Sequence, residues 1–197
     1  MQINSTQLKQ LIEASLFISD KPKSITQLKE TVLADYRVSR EKIKNVIAEL
    51  ERDYQERGIQ LVQVAGGYRF QTAQFLSPLL QTLWQEKSPK YSRATLETLA
   101  VVAYQQPVTR GDIEQVRGVA VSSHIIKTLT DRHWIKVVAH KEVPGRPALY
   151  ATTNEFLAYF NLRNLSELPA LSDPESLQAL FSEKASVIAT KEESTNE

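Results

Sequence analysis

Cysteine is absent from all 197 residues. That absence excludes disulfides, thiolate metal ligands and cysteine nucleophiles, and it fits a reducing compartment. Glycine is scarce, confined to Gly58, Gly66, Gly67, Gly111, Gly118 and Gly145. None of them opens a G-x-x-x-x-G-K-[ST] loop or a G-x-G-x-x-G turn, so no backbone cradle for nucleotide phosphates is on offer. A G-x-S-x-G nucleophile elbow is missing as well. No stretch approaches the roughly 20 apolar residues of a membrane helix. The first twenty residues lack the basic, apolar and small-residue order of a secretory signal. Charge of one sign is also lacking: 24 Lys and Arg stand against 23 Asp and Glu, a net of +1. No whole-molecule field then draws the chain to nucleic acid or anionic lipid. The expectation is a soluble, cytoplasmic protein.

The residues of catalysis are present only in scattered form. His124, His133 and His140 share none of the short spacings of a zinc motif. Asp112 and Glu114, like Glu49 and Glu51, are separated by one residue and so point to different sides of a helix. No catalytic residue, cofactor or metal ligand is expected, and the protein is not read as an enzyme.

The chain does carry one pattern written twice. Leu8, Leu11, Ile12 and Ser15 recur at the helical period, and a short helix is expected over Thr26–Val32 behind a Ser24 or Thr26 cap. Ser39 caps a third helix in which Ile43, Val46, Ile47, Leu50 and Tyr54 form one apolar stripe, ended by Gly58. "IQLVQVAGGYRFQTA" alternates on both sides of Gly66-Gly67, a two-residue hairpin signal. The second half repeats this order. Ser92 caps a helix with Leu96, Leu99, Ala100 and Ala103 on one stripe. Thr109 caps a second, with Gly111 a weak point and Gly118 the stop. "VSSHIIKTLTDRHW" gives a third helix before the strands "IKVVAHK" and "ALYATT". The expected fold class is α+β and mostly helical, with tandem winged helix-turn-helix domains.

Four segments follow from that repeat. Residues 1–75 form an N-terminal winged-helix domain. Residues 76–91 form a helical connector in which Leu76, Leu79, Leu80 and Leu83 keep helical spacing before Ser88-Pro89 breaks the chain. Residues 92–165 form the second winged-helix domain, onto which "NEFLAYF" packs. Residues 166–197 hold two basic against seven acidic residues and read as a largely disordered acidic tail. Within that tail Leu177, Leu180, Phe181, Val187 and Ile188 suit one amphipathic helix.

Tandem winged helices make a DNA-binding transcriptional regulator the first reading to test, since the third helix of such a domain enters the major groove. The charge for it is thin. Residues 1–91 carry thirteen basic and ten acidic residues, and residues 92–155 carry eight and six. The second domain's third helix starts in "GVAVSSHIIK", which offers Ser122, Ser123 and His124, with Lys127 the only full charge in that stretch. DNA binding is expected to be weak and non-specific at most. In its place stands apolar surface: "LAVVAY" sets Val101, Val102 and Tyr104 outside the Leu96–Leu99–Ala100–Ala103 stripe. Either the C-terminal "EFLAYF" covers them or a partner does. At the tip of the second hairpin, Val143-Pro144-Gly145-Arg146 suits a type II turn, and Pro147 stiffens the returning strand. Lys141 and Arg146 there suit an acidic segment or a phosphate.

"TLETLAVVAYQQPVTRGDIEQVRGV", "IIKTLTDR" and "KEVPGRPALYATTNEFLAYFNLRNLSELP" resemble the segregation and condensation protein B family, ScpB. The resemblance is continuous over roughly residues 92–171, with the A-Y-x-Q-P and V-P-G-R-P-x-L-Y-x-T-T stretches its most specific parts. Over the first 91 residues it is one of layout only. It implies a non-enzymatic adaptor that forms a homodimer and binds the kleisin ScpA. Through that kleisin it acts with SMC in chromosome condensation and partition, in a cytoplasmic, nucleoid-associated complex. On this reading Val101, Val102 and Tyr104 are candidate kleisin anchors, with Arg110, Arg117 and Arg146 as charge partners. Leu79, Leu83 and Trp84 are the candidate homodimer surface.

Overall fold

The structure, a computed structural model, describes residues 2–80, 83 and 91–170. Two compact units divide the chain, Met1–Trp84 and Gln85–Glu197.

In the first unit, α1 (Ser5–Phe17) starts at a capping box in which Asn4 accepts from the Gln7 amide and the Gln7 side chain reaches back. This satisfies two amides that the helix itself cannot. Its inward stripe is Leu8, Ile12 and Leu16, with Leu11 half-buried beside it. Ser24 caps α2 (Ile25–Glu30) by the same device with Gln27. Ser39 caps α3 (Arg40–Asp53), which buries Ile43, Val46, Ile47 and Leu50. Lys9 on α1 meets Asp53 at 2.7 Å and Glu49 at 3.4 Å, fastening α1 to α3 beside that core. The Tyr54 hydroxyl adds a hydrogen bond to Glu13.

Strands β1 (Ile59–Val64) and β2 (Gly67–Thr72) form the hairpin, in register from Ile59 with Thr72 to Val64 with Gly67. The two-residue loop is therefore Ala65–Gly66, one position earlier than the Gly66-Gly67 turn expected from sequence. The reason lies across the sheet. Lys23 pairs with Tyr68 through two 2.9 Å backbone hydrogen bonds, making a third strand position beside β2. A Cβ on Gly67 would fall 2.2 Å from the Lys23 carbonyl, and its φ is +136°. Gly67 is needed for close backbone approach, and the turn is left to its neighbours.

A 3-10 turn over Gln74–Leu76 and a short helix, α4 (Ser77–Leu80), follow with no fully buried side chain. The connector was expected to pack through four leucines. Leu76 and Leu80 are half-buried, whereas Leu79 and Leu83 stand 70% and 72% exposed. Ser88-Pro89 lies outside the described residues.

The second unit repeats the plan. Ser92 caps α5 (Arg93–Gln105). Strand β3 (Val108–Thr109) leads into α6 (Arg110–Arg117), capped by Thr109 in a box with Asp112 and stopped by Gly118 at φ +70°. Gly111 sits in the first turn of α6 behind this cap, where the helix is already held. Helix α7 (Ser123–Asp131) is capped by Ser122. Strands β4 (Ile135–His140) and β5 (Ala148–Thr152) complete a sheet of order β3-β5-β4. The first unit has the same arrangement, Lys23 beside β2 beside β1. Both units are winged helices, and the α+β tandem reading agrees with the structure.

Helix α8 (Asn154–Tyr159) buries Phe156, Leu157 and Ala158, and Phe160 and Leu162 follow them inward. Trp134, 3% exposed, lies 5.0 Å from Tyr91, 4.6 Å from Tyr159 and 5.6 Å from Phe160 between ring centroids. This aromatic cluster joins the segment before α5 to the end of the domain. Burial within it pushes the Tyr91 hydroxyl up to about 12.

Candidate partner-binding surfaces

The inward face of α5 differs from the one its leucines and alanines suggest. Thr95, Thr98, Leu99, Val102 and Ala103 are buried, while Leu96 and Ala100 are only half-buried. Two threonines set the phase. The Thr98 hydroxyl donates to the Ala94 carbonyl at 2.8 Å, and the Thr95 hydroxyl lies 2.9 Å from that of the capping Ser92. With their hydroxyls satisfied by their own helix, they enter the core as small apolar residues would. Val102, 0% exposed, is consequently a core residue and offers no anchor to a partner. Val101 and Tyr104 are half-buried on the other side. The Tyr104 hydroxyl donates to the Pro169 carbonyl at 2.7 Å, and burial raises its pKa.

The A-Y-x-Q-P and T-T stretches meet at one joint. The side-chain oxygen of Gln106 accepts from the Thr152 amide at 2.7 Å and from its hydroxyl at 3.0 Å. Thr153 caps α8, and its amide and hydroxyl donate to the carbonyls of Trp134 and His133. The joint ties the end of α5 to the returning wing strand, so these residues position surfaces and present none.

Each candidate arginine has an acidic partner inside the unit. Arg110 Nε lies 3.0 Å from Glu114 Oε1, and Nη1 donates to the Ser123 hydroxyl at 3.2 Å. Arg117, its side chain 7% exposed, lies 3.0 Å from Glu97. Arg146, at φ +38° in the wing tip, lies 3.3 Å from Glu142 but stays open to solvent. Lys141 pairs with Asp112 at 3.5 Å. The carboxylates register this pairing. Glu97 is held below the usual range by Arg117 and then Arg93, Asp112 chiefly by the Thr109 amide, and Glu114 by the Val121 amide and then Arg110. In the wing, Gly145 at φ +85° and a 2.9 Å bond from the Arg146 amide to the Val143 carbonyl make the expected type II turn.

Exposed apolar side chains fall in both units. The first unit shows Phe17 (72%) and Ile18 (82%) at the end of α1, together with Phe75, Leu79 and Leu83. Phe17 is the last residue of α1 and Ile18 its C-terminal cap. The Leu8–Ile12–Leu16 stripe leaves them off the inward face, and that phase is a signal the sequence held. Trp84 lies outside the described residues. The second unit exposes Val116 and Val119 beside α6 and Val137 and Val138 on β4. An open groove of about 470 Å³ between α2 and the start of α3 is lined by Ile25, Thr26, Lys29, Glu30, Ala34 and Arg40, with Arg40 donating to the Thr26 hydroxyl at 3.0 Å. Among the described residues, no group of three His, Asp or Glu is placed to hold a metal, and no helix is long and apolar enough to cross a membrane.

The profile of the family described as segregation and condensation complex subunit ScpB matches residues 10–171. The chain belongs to this family. The match takes in most of the first unit, which from sequence resembled the family in layout alone. A segregation and condensation protein B homolog of Coxiella burnetii is 52% identical over 186 residues, covering 93% of this chain and 89% of that protein. Segregation and condensation protein B of Syntrophotalea carbinolica is 42% identical, covering 87% and 85%. Among solved structures, ScpB from Mycobacterium tuberculosis is 30% identical and covers 82% of this chain and 99% of its own, with a TM-score of 0.39. A dimer of a ScpB N-terminal domain complexed with a ScpA peptide is 34% identical, covering 41% and 94%, with a TM-score of 0.35.

Proposed function

We propose that this ScpB-family chain is a non-enzymatic adaptor of a condensin-like complex, which as a homodimer holds an extended segment of the kleisin ScpA. Through that kleisin it acts with SMC in chromosome condensation and partition, in the cytoplasm at the nucleoid. Family membership over residues 10–171 supports the role. The dimer and the ScpA peptide described for a family member's N-terminal domain are the arrangement carried over to this chain.

The observation that carries the reading is the state of the second unit's cations. A helix-turn-helix that grips phosphates needs free Lys and Arg on its recognition helix. Here Lys127 is the only basic residue of α7, and the flanking Arg110 and Arg117 are engaged by Glu114 and Glu97. Apolar side chains are partly or fully exposed there: Val101 and Tyr104 on α5 are half-buried, and Val116 on α6 is exposed. A kleisin segment that folds on contact needs a few apolar anchors to offset its ordering entropy. In this reading residues 1–75 dimerise and hold one part of the kleisin, as the N-terminal domain of the ScpA-bound family member does, with Leu79, Leu83 and Trp84 extending the dimer surface; residues 92–165 hold a further part, and Arg146 meets an acidic group on it.

The test is affinity purification of the tagged protein from its own cells, read by mass spectrometry. Recovery of a kleisin and an SMC protein at high salt supports the adaptor. Retention of nucleic acid alone overturns it. Light scattering of the full chain should give twice 22.3 kDa, and Leu83→Asp should weaken that dimer.

A further inference from the structure

We infer that the helix-turn-helix of the first unit, α2 with the start of α3, binds the phosphate backbone of duplex DNA without regard to sequence. This goes beyond the adaptor reading and does not rest on it. Charge is the first observation. Residues 21–44 hold seven basic and three acidic residues, a net of +4, whereas the rest of the chain sums to −3. Lys29, Arg37, Arg40, Lys42 and Lys44 are all exposed. Among the described residues none of these five enters an ion pair.

The second observation is a matched pair of joints with opposite electrostatics. In each unit an arginine ties the starts of the two helices together through a hydroxyl. Arg40, the first residue of α3, donates to the Thr26 hydroxyl on α2 at 3.0 Å. Arg110, the first residue of α6, donates to the Ser123 hydroxyl at the start of α7 at 3.2 Å. Arg110 is also neutralised, at 3.0 Å, by Glu114, the fifth residue of α6. The fifth residue of α2 is Lys29. A cation therefore stands where the second unit keeps its neutralising carboxylate, and Arg40 is held in place with its charge uncompensated. Such a guanidinium keeps most of its N–H donors for a phosphate and has less freedom left to lose.

Polarity selects the occupant. Lys29 and Arg40 line the open groove of about 470 Å³ between α2 and α3, where Ile25 and Ala34 are the apolar lining. Of the first unit's exposed large apolar side chains, only Val32, at 37%, falls in this stretch. An acidic peptide that orders on contact needs apolar anchors, and this face supplies almost none. A duplex arrives already stiff, and unpaired Lys and Arg bind it by releasing its condensed counterions. Phosphate contacts carry no sequence information. Glu41, exposed in the first turn of α3, keeps the binding loose.

The test is fluorescence anisotropy of two short labelled duplexes of unrelated sequence, titrated with the full chain over a series of salt concentrations. The expected Kd near physiological salt is on the order of 10 μM and equal for both duplexes. Arg40→Ala combined with Lys44→Ala should weaken binding at least about tenfold and flatten the slope of log K against log salt by about two. Lys29→Glu, which gives the first unit the second's carboxylate, should cost a similar factor. Arg40→Lys should keep the parent's slope, and Lys127→Ala on α7 should change neither quantity. All five positions are exposed or half-buried, and circular dichroism checks each fold; Lys44→Ala alone replaces the double variant if that one misfolds. No binding at low salt overturns the inference, as does a slope unmoved by the double variant or an equal loss in Lys127→Ala. A strong preference for one duplex would show base reading instead. Displacement of the duplex by polyglutamate at equal charge would make the face a site for acidic polypeptide. No kleisin is in the tube, so failure here and failure of the adaptor test are separate results.

Discussion

Replacing Val102 and Val101 by aspartate, one at a time, separates core from surface on a single helix. Val102 is 0% exposed between Thr98, Leu99 and Ala103, and Val101 is half-buried on the opposite side. In Val102→Asp the lost apolar burial costs about 1.5–3 kcal/mol. A carboxyl enclosed there has its pKa raised by about 3–5 units, so at pH 7 it stays protonated against an unfolded value near 3.9, costing about 4 kcal/mol at 1.36 per unit. An unsatisfied buried polar group adds about 1–3 kcal/mol. The total, about 6–10 kcal/mol, matches the whole stability of a typical small domain. The sign sets the pH dependence. With the folded pKa raised, stability is kept below about pH 4 and lost as pH rises towards the folded value.

Urea unfolding followed by tryptophan emission reports the second unit through Trp134, which is buried there. Val102→Asp should show no folded second unit at pH 7, whereas Val101→Asp should shift the midpoint little and lose kleisin recovery. A Val102→Asp protein as stable as the parent would refute the inward face assigned to α5.

Three further outcomes follow from the geometry. Gly67→Ala sets a Cβ 2.2 Å from the Lys23 backbone at φ +136°, so urea titration should show a loss of about 3 kcal/mol or more in the first unit; a neutral effect would deny the Lys23–Tyr68 pairing. Gly111→Ala meets nothing closer than 3.8 Å and should stabilise the second unit by about 0.5 kcal/mol, raising its Tm by a few degrees; a lower Tm would show strain in the first turn of α6. Glu97 is held below its usual range by Arg117 and Arg93, so its contribution is present above the usual carboxylate pKa and lost as pH falls through the folded value. The loss of Tm between pH 5 and pH 3 should accordingly be smaller in Glu97→Gln, and an unchanged loss would refute that role.

Much of the fold was legible because caps and turns are local. Asn or Ser or Thr before a helix and the alternation around each hairpin need no tertiary knowledge. The positions that misled are those where a distant backbone decides. Gly67 read as a turn residue until Lys23, more than forty positions earlier, arrived beside it. The phase of α5 was missed because Thr95 and Thr98 count as polar yet satisfy their hydroxyls within the helix. Of the candidate surface, the apolar excess of "LAVVAY" was readable, but not which of two adjacent valines faced outward. The pairing of Arg117 with Glu97, twenty residues away, has no local sign at all.

The internal pairing of Arg110, Arg117 and Lys141 has a consequence for how the protein experiences its cell. A cation already compensated by a neighbouring carboxylate holds few condensed counterions, and a partner that docks beside it releases few. Association that rests on apolar anchors between such neutralised groups then changes little with ionic strength, unlike the steep salt dependence of a phosphate-gripping face. When osmotic stress raises internal potassium and loosens contacts made by free lysines on DNA, a joint built this way keeps its grip.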